Sequence, residues 1–405
     1  MEREMLYQEI LKEAQAMQEE LTVWRRQFHQ MPELDLSLPK TGAFVQDRLT
    51  ELGIPYKLLV GGSCVVAYLG KDVMEQTGGS GKCFLLRSDM DGLPITEDTR
   101  LSFASENGRM HACGHDLHAA TLLGAAKLLK KHESELCGIV KLVFQPGEET
   151  FRGAKAAIED GLLENPHVDA AFAMHVGSGF SPNYIAYGPA PMSSVYGFKI
   201  KLTGKGCHGA YPENGIDPIN TGLHIHLALQ ELIARERPST KEGALTIGSF
   251  HAGSAANIIP QTAELEGTLR VFDRNTRDNL IRRIGEVVQD VAKTYRTKAE
   301  LEVLYDVPPV ENDAALSKEF LAAIHAMKPE EMLVPTYHVM GSEDFAFISE
   351  RVPSCYFSIG AAVADKSKIV DHHNPHVMFN EECLPTAAAA YACVAIEWLK
   401  THGAE

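Results

Sequence analysis

Cysteine, histidine and glutamate recur in this chain in the combinations that metal chemistry needs. His111-Ala112-Cys113-Gly114-His115-Asp116-Leu117-His118 offers a thiol and imidazoles, and Glu148-Glu149, His175 and His373 follow it. Thiolate, imidazole and carboxylate are the ligands a d-block divalent ion takes. Cys113 and His115 are two residues apart, so an extended segment projects both to one side. His111 and His118 rank below His115, because Gly114 and the helix start after it favour the extended reading. Glu148 and Glu149 point differently as neighbours, so one can bind metal while the other moves a proton. Asp89 and Asp91 are either turn formers before Gly92 and Pro94 or partners that hold a histidine tautomer. Asp116 either caps the following helix or orients a ligand imidazole.

These residues must be carried by elements that end together. Residues 2 to about 30 read as a helix, and Thr41 to Leu52 as a second. Ser63 to Leu69, Lys82 to Arg87, Gly138 to Phe144 and Asp169 to His175 read as strands, with a helix from Leu117 to Leu129. Asp89, Glu148 and His175 then fall at carboxyl ends of strands, where ligands gather in open α/β sheets. Beyond the breakers of Tyr187-Gly188-Pro189-Ala190-Pro191 the order becomes β-α-β-β-α-β, which is ferredoxin-like. After Val307-Pro308-Pro309 the α/β alternation returns, with a helix from Ala314, a strand near Cys355 and a C-terminal helix from about Leu384. The expected fold is α/β: a catalytic domain over 1–188 and 307–405, interrupted by an inserted domain over 189–306.

Composition narrows the function. The chain has 405 residues, 45% hydrophobic and 23% charged, and is long enough for two domains. Its 38 Lys and Arg against 54 acidic residues give a net charge of -16 without a basic block. That argues against nucleic acid as a partner. A charged N-terminus and the lack of a run of about 20 apolar residues lead us to expect a soluble, cytoplasmic protein with no membrane partner. Eight scattered cysteines fit a reducing compartment.

The motifs together resemble those of the M20 metallopeptidases and amidohydrolases, specifically the subgroup of aminoacylases, hippurate hydrolases and auxin-conjugate hydrolases. The resemblance rests on Phe28-His29-Gln30-Met31-Pro32-Glu33-Leu34, Arg87 to Pro94, His111 to His118, Gln145-Pro146-Gly147-Glu148-Glu149 and Met174-His175-Val176. It continues through Gly206-Cys207-His208-Gly209-Ala210, Asn257-Ile258-Ile259-Pro260, Gly267 to Arg270, Gly341 to Phe345 and His373-Asn374-Pro375. It implies a metal-dependent exopeptidase-like domain with a ferredoxin-like lid that also dimerises. It further implies two divalent ions, zinc or manganese with cobalt or nickel as alternatives, held by Cys113, His115, Glu149, His175 and His373, with Cys113 shared.

Glu148 would be general base and then acid, and His208 would polarise the carbonyl or hold the oxyanion. Asn257 and Arg270 would bind the amide oxygen or substrate carboxylate. The implied activity is hydrolysis of a small N-acyl amino acid, acetyl, benzoyl or similar, to a carboxylic acid and a free amino acid. A di- or carboxypeptidase on the same site is the first alternative. Others are a binding protein without turnover and a hydrolase with Cys113 as covalent nucleophile. One departure is visible: Leu38-Pro39-Lys40-Thr41 lacks the glutamate that relatives commonly carry before the threonine, which bears on packing near the N-terminus.

Overall fold

The computed structural model describes residues 2–70, 81–182, 184–328 and 333–403. The chain forms two compact units. One comprises Met1–Pro191, Glu311–Tyr337 and Asp344–Glu405, the other Met192–Val310 and His338–Glu343. The segment 338–343, expected with the flanking domain, thus groups with the inserted one.

The first unit is built on an eight-stranded sheet in the order β1-β2-β4-β3-β5-β14-β6-β13. Its strands are β1 (Tyr56–Leu59), β2 (Cys64–Leu69), β3 (Cys83–Asp89), β4 (Ile139–Gln145), β5 (Ala170–Gly177), β6 (Ile185–Ala186), β13 (Leu333–Val334) and β14 (Ser354–Gly360). The central four, β4, β3, β5 and β14, are parallel. Every residue of β3, β4 and β14 is buried, as parallel strands covered on both faces should be. This is why they read as unbroken apolar runs, whereas the half-exposed edge strand β1 gave no such signal.

The helices of this unit are α1 (Glu2–Ala16), α2 (Gln18–His29), α3 (Pro39–Glu51), α4 (His115–Lys131), α5 (Gly153–Glu159), α8 (Ala314–Met327), α9 (Ala346–Ser349) and α10 (Leu384–His402). The single helix expected over 2–30 is in fact two, because Met17 leaves helical geometry at φ -91° and ψ 4°. The break lets α1 pack on α8 and α10 while α2 packs on α4. Helix α10 is apolar almost all round and buried accordingly. Trp398 stacks on Phe84 at 5.0 Å, and Phe320 of α8 meets Phe84 edge-on at 5.6 Å. From the same helix, Tyr391 donates its hydroxyl proton to the Arg87 carbonyl and accepts from the Met174 amide, both at 2.8 Å. One buried side chain thereby fixes the ends of β3 and β5 relative to each other.

Near the N-terminus, Glu33 answers the question raised by the missing glutamate. Its Oε2 accepts from the amides of Lys40 and Thr41 at 2.9 Å and from the Thr41 hydroxyl at 3.0 Å. The free amides of the first turn of α3 are satisfied from outside the helix, with no nearer acidic residue needed.

The second unit has β7 (Val195–Thr203), α6 (Pro218–Glu231), β9 (Gly243–Ala252), β11 (Thr262–Val271), α7 (Arg274–Thr294) and β12 (Lys298–Val307). Its antiparallel sheet runs β12-β7-β11-β9, the ferredoxin-like order. Asp217 and Asp273 cap the two helices through their carboxylates. A small arm, β8 (Cys207–His208) paired with β10 (Ile258–Ile259), projects from it; two-residue strands leave no periodicity to read.

Candidate metal centre

The donor groups converge at the carboxyl ends of the parallel strands of the first unit. Cys113 lies in the turn before α4, and Gly114 takes the left-handed conformation at φ 91°. Any Cβ at Gly114 would fall 2.4 Å from Val176 Cγ2, so the turn needs glycine. His115 is then the first residue of α4. The extended segment expected for Cys113 and His115 is therefore a turn running into a helix, and it is the left-handed glycine that directs both side chains to one place. One ligand atom each from Cys113, His115 and Glu149 lie within 4.8 Å of one another.

Tautomers follow from the hydrogen bonds. His115 presents Nδ1 to the Asp91 carbonyl at 2.9 Å, leaving a buried Nε2 without a hydrogen-bond partner. His175 presents Nδ1 to the Val176 carbonyl at 2.7 Å, and its Nε2 lies 3.4 Å from Cys113 Sγ. Strand β5 runs on to Gly177, so His175 sits within the strand, opposite Ser358 of β14, and does not end it. His373, at φ 61°, is anchored by its amide to the Ala112 carbonyl at 3.0 Å and brings Nε2 within 3.4 Å of Glu149 Oε2. Glu149 Oε1 is buried without a hydrogen-bond partner.

Two other histidines crowd the site but have their nitrogens committed. His118 presents Nδ1 to Asp89 at 2.5 Å and accepts from the Val176 amide at 2.9 Å through Nε2. His372, which the sequence reading passed over beside His373, faces the Cys113 carbonyl at 3.2 Å and the Ser178 amide at 3.3 Å. Both are close enough to join ligand groups by distance alone, yet each would have to surrender a backbone hydrogen bond. His111 is buried with no hydrogen-bond partner on either nitrogen, beside His29 at 6.4 Å between ring centres.

Asp89 and Asp91 each meet a histidine Nδ1, as the tautomer-holding alternative expects, whereas Asp116 turns elsewhere. Asp91 holds His115 through its backbone carbonyl, while its carboxylate accepts from the amides of Glu148 at 3.0 Å and Glu149 at 3.1 Å. Asp89 fixes the tautomer of His118, and Arg87 pairs with it at 2.6 Å. Asp116 neither caps α4 nor orients a ligand imidazole: its Oδ2 meets His29 Nδ1 at 2.7 Å and Arg25 Nε at 2.8 Å. Arg87, which opens the Arg87–Pro94 motif, ties the site together through Asp89, Gln145 at 3.1 Å and Asp344 at 2.8 Å. A charged residue directly after the apolar run Cys83-Phe84-Leu85-Leu86 was the available signal.

The electrostatics suit a cation. Burial opposes the charge on Glu149, but His373 and His115 outweigh it and hold the carboxyl below its usual range. Cys113 and Glu149 in turn push the His373 imidazole up to about 10. A soft thiol, three imidazole nitrogens and a carboxylate, with buried orphan atoms on His115 and Glu149, fit one or two divalent transition-metal ions.

In the second unit, His208 accepts from the Ala210 amide at 3.0 Å through Nδ1. The Gly209 amide donates to the Asn257 carbonyl at 2.7 Å, so His208 and Asn257 stand together on the β8–β10 arm. His208 borders a cleft of about 850 Å³ that Cys207, His251 and Ile258 also help to line. Arg270 lies at the other end of β11, ~27 Å along the strand, where its guanidinium donates to the Met340 carbonyl at 2.8 Å and Ser342 Oγ at 2.9 Å.

Comparison with known proteins finds relatives over most of the chain. Residues 85–397 match the model of peptidase family M20/M25/M40. An IAA-amino acid hydrolase, ILR1-like 4, of Arabidopsis thaliana is 36% identical over 381 residues, covering 93% of this chain and 84% of that protein. The N-acetyl-L-cysteine deacetylase of Bacillus subtilis is 36% identical over 346 residues, covering 85% and 81%. The crystal structure of the Bacillus subtilis YxeP protein, a dinuclear metal-binding peptidase of the M20 family, superposes with a TM-score of 0.80 at 31% identity, covering 95% and 99%.

Proposed function

We propose that this chain, which belongs to peptidase family M20/M25/M40 and is a hydrolase of amide bonds, cleaves small N-acyl amino acids to a carboxylic acid and a free amino acid. The observation that carries the reading is the Asp91 carboxylate gripping two adjacent amides, those of Glu148 and Glu149. It sets one glutamate among the donor atoms and leaves its neighbour beside them.

Cys113, His115, Glu149, His175 and His373 would hold the two ions, zinc or manganese first among them. Such ions supply Lewis acidity and bring the pKa of water near 7. Glu148 takes the proton of the attacking water and returns it to the departing nitrogen. A carboxylate held close to neutral-pH water can do both. The buried Arg87–Asp89–Asp344 network keeps the strand ends rigid while it does so.

His208, Asn257 and Arg270 would serve the substrate from the second unit. The β8–β10 arm that carries His208 adjoins the Thr262 end of β11 and Arg270 lies near its other end, a span far longer than an N-acyl amino acid. Both can act on one substrate only if one comes from a second copy of the chain, which favours a homodimer with His208 crossing between sites. No helix among the described residues is long and apolar enough to cross a membrane.

The test is amino-acid release from N-acetyl, benzoyl and indole-acetyl amino acids against dipeptides, using protein stripped by chelator and reloaded with zinc, manganese or cobalt. Metal-dependent release from the acyl substrates is expected. Release from dipeptides alone would replace this reading with a dipeptidase.

A further inference from the structure

The Phe28-His29 motif contributes no ligand, yet His29 is buried between two carboxylates that belong to the metal site's two sides. Its Nδ1 meets Asp116 Oδ2 at 2.7 Å and its Nε2 meets Glu97 Oε1 at 3.1 Å. Both nitrogens face carboxylates, with the Arg25 guanidinium 3.4 Å from Nδ1, and a ring protonated on both sides donates to each anion.

Each anion leads to a ligand. Asp116 follows His115 in the first turn of α4. Glu97 closes a loop on itself by accepting from the Thr99 hydroxyl and, at 2.7 Å, from the Ser105 amide. The next residue of that loop receives the segment that carries His373: the Asp98 amide donates to the Pro375 carbonyl, and His376 Nδ1 reaches the Asp98 carbonyl, both at 2.9 Å. Arg25 pairs with Asp116 from the preceding turn of α2, and Phe103 lies edge-on to His29 at 5.4 Å. His29 itself is 1% exposed.

Stability is a poor reason for such a cluster, since buried ion pairs seldom outperform well-packed apolar side chains of the same volume. Fixed geometry is a better one, because a loosened ligand costs metal affinity directly.

We propose that His29 is a positioning residue of the metal centre: it sets the distance between His115 and His373 by tying the start of α4 to the loop that receives residues 373–376. The proposal rests on the metal-dependent reading given above. It assigns His29 no contact with metal or substrate.

The experiment is zinc titration of the full-length, metal-free protein against a competing chelating dye, with circular-dichroism melts of the same samples. Wild type is compared with His29→Asn, His29→Gln and Glu97→Gln. His29→Gln and Glu97→Gln should fold and bind zinc at least tenfold more weakly at one site, in the range that ligand-orienting partners command. His29→Asn, which keeps a donor near the Nδ1 position, should fall between them and wild type. Should the His29 variants fail to fold, Glu97→Gln carries the same comparison. Wild-type zinc affinity in variants that merely melt lower would overturn the proposal while leaving the metal reading intact. A wild-type protein that takes up no zinc would overturn both.

Discussion

The backbone carbonyl of Asp91 lies 2.9 Å from Nδ1 of His115 and decides which face of that imidazole is available. With Nδ1–H spent on the carbonyl, the lone pair of Nε2 is the only one left for a ligand. The Asp91 side chain is then free for the Glu148 and Glu149 amides, so one residue orients a candidate ligand and the candidate base together.

Glu148→Gln keeps shape and removes the proton acceptor. Turnover on an N-acyl amino acid should fall by about 10²–10⁴-fold, with metal content by elemental analysis unchanged. Normal turnover would remove Glu148 from the mechanism.

Cys113→Ser replaces a soft thiolate donor with a hydroxyl. Zinc affinity should drop by tenfold or more while the metal-free melt stays near wild type. If alkylating Cys113 in the metal-free protein blocks turnover but the serine variant retains it, a covalent thiol mechanism is also excluded.

Tyr391→Phe deletes the hydroxyl that bridges the Arg87 carbonyl and the Met174 amide, removing two buried hydrogen bonds. The expected loss is about 1–3 kcal/mol of stability, read by urea unfolding, together with a lowered kcat because β3 and β5 carry Asp89 and His175.

Gly114→Ala places a Cβ against Val176 at a backbone conformation that L residues avoid. Both metal uptake and turnover should collapse. An alanine variant with wild-type zinc binding would show that the turn can be rebuilt.

Burial opposes the charge on His29, but Asp116 and Glu97 outweigh it and raise its pKa above the ordinary value. The folded state therefore binds this proton more tightly than the unfolded chain. The stabilisation is complete below the unfolded value of about 6.5 and is lost as the pH rises through the folded one. In metal-free protein, the melting-temperature gap between wild type and His29→Asn should be widest near the acid end of that window and narrow as the pH is raised. A gap that widens with pH would contradict the charged bridge.

Much of the fold could be read directly. The buried parallel strands announced themselves as apolar runs because both their faces are covered, and the ferredoxin-like order followed from alternating elements of ordinary length. Edge strand β1, the β8–β10 arm and helix α5 escaped because short or half-exposed elements leave no period. The break at Met17 escaped because it serves packing on different helices and has no breaker residue to mark it.

The sequence by itself determined the stock of donors and their order along the chain, since thiol, imidazole and carboxylate are properties of residue type. Only the tertiary structure decided which are free to bind. His118 and His372 match the other imidazoles in chemistry, and backbone groups brought from 58 and 259 residues away occupy their nitrogens. Likewise Asp116, for which the sequence leaves a helix cap and a ligand imidazole both open, turns to His29, 87 residues distant. Such partners are chosen by how strands and helices pack, and hydrogen-bond direction is fixed by that packing rather than by local spacing.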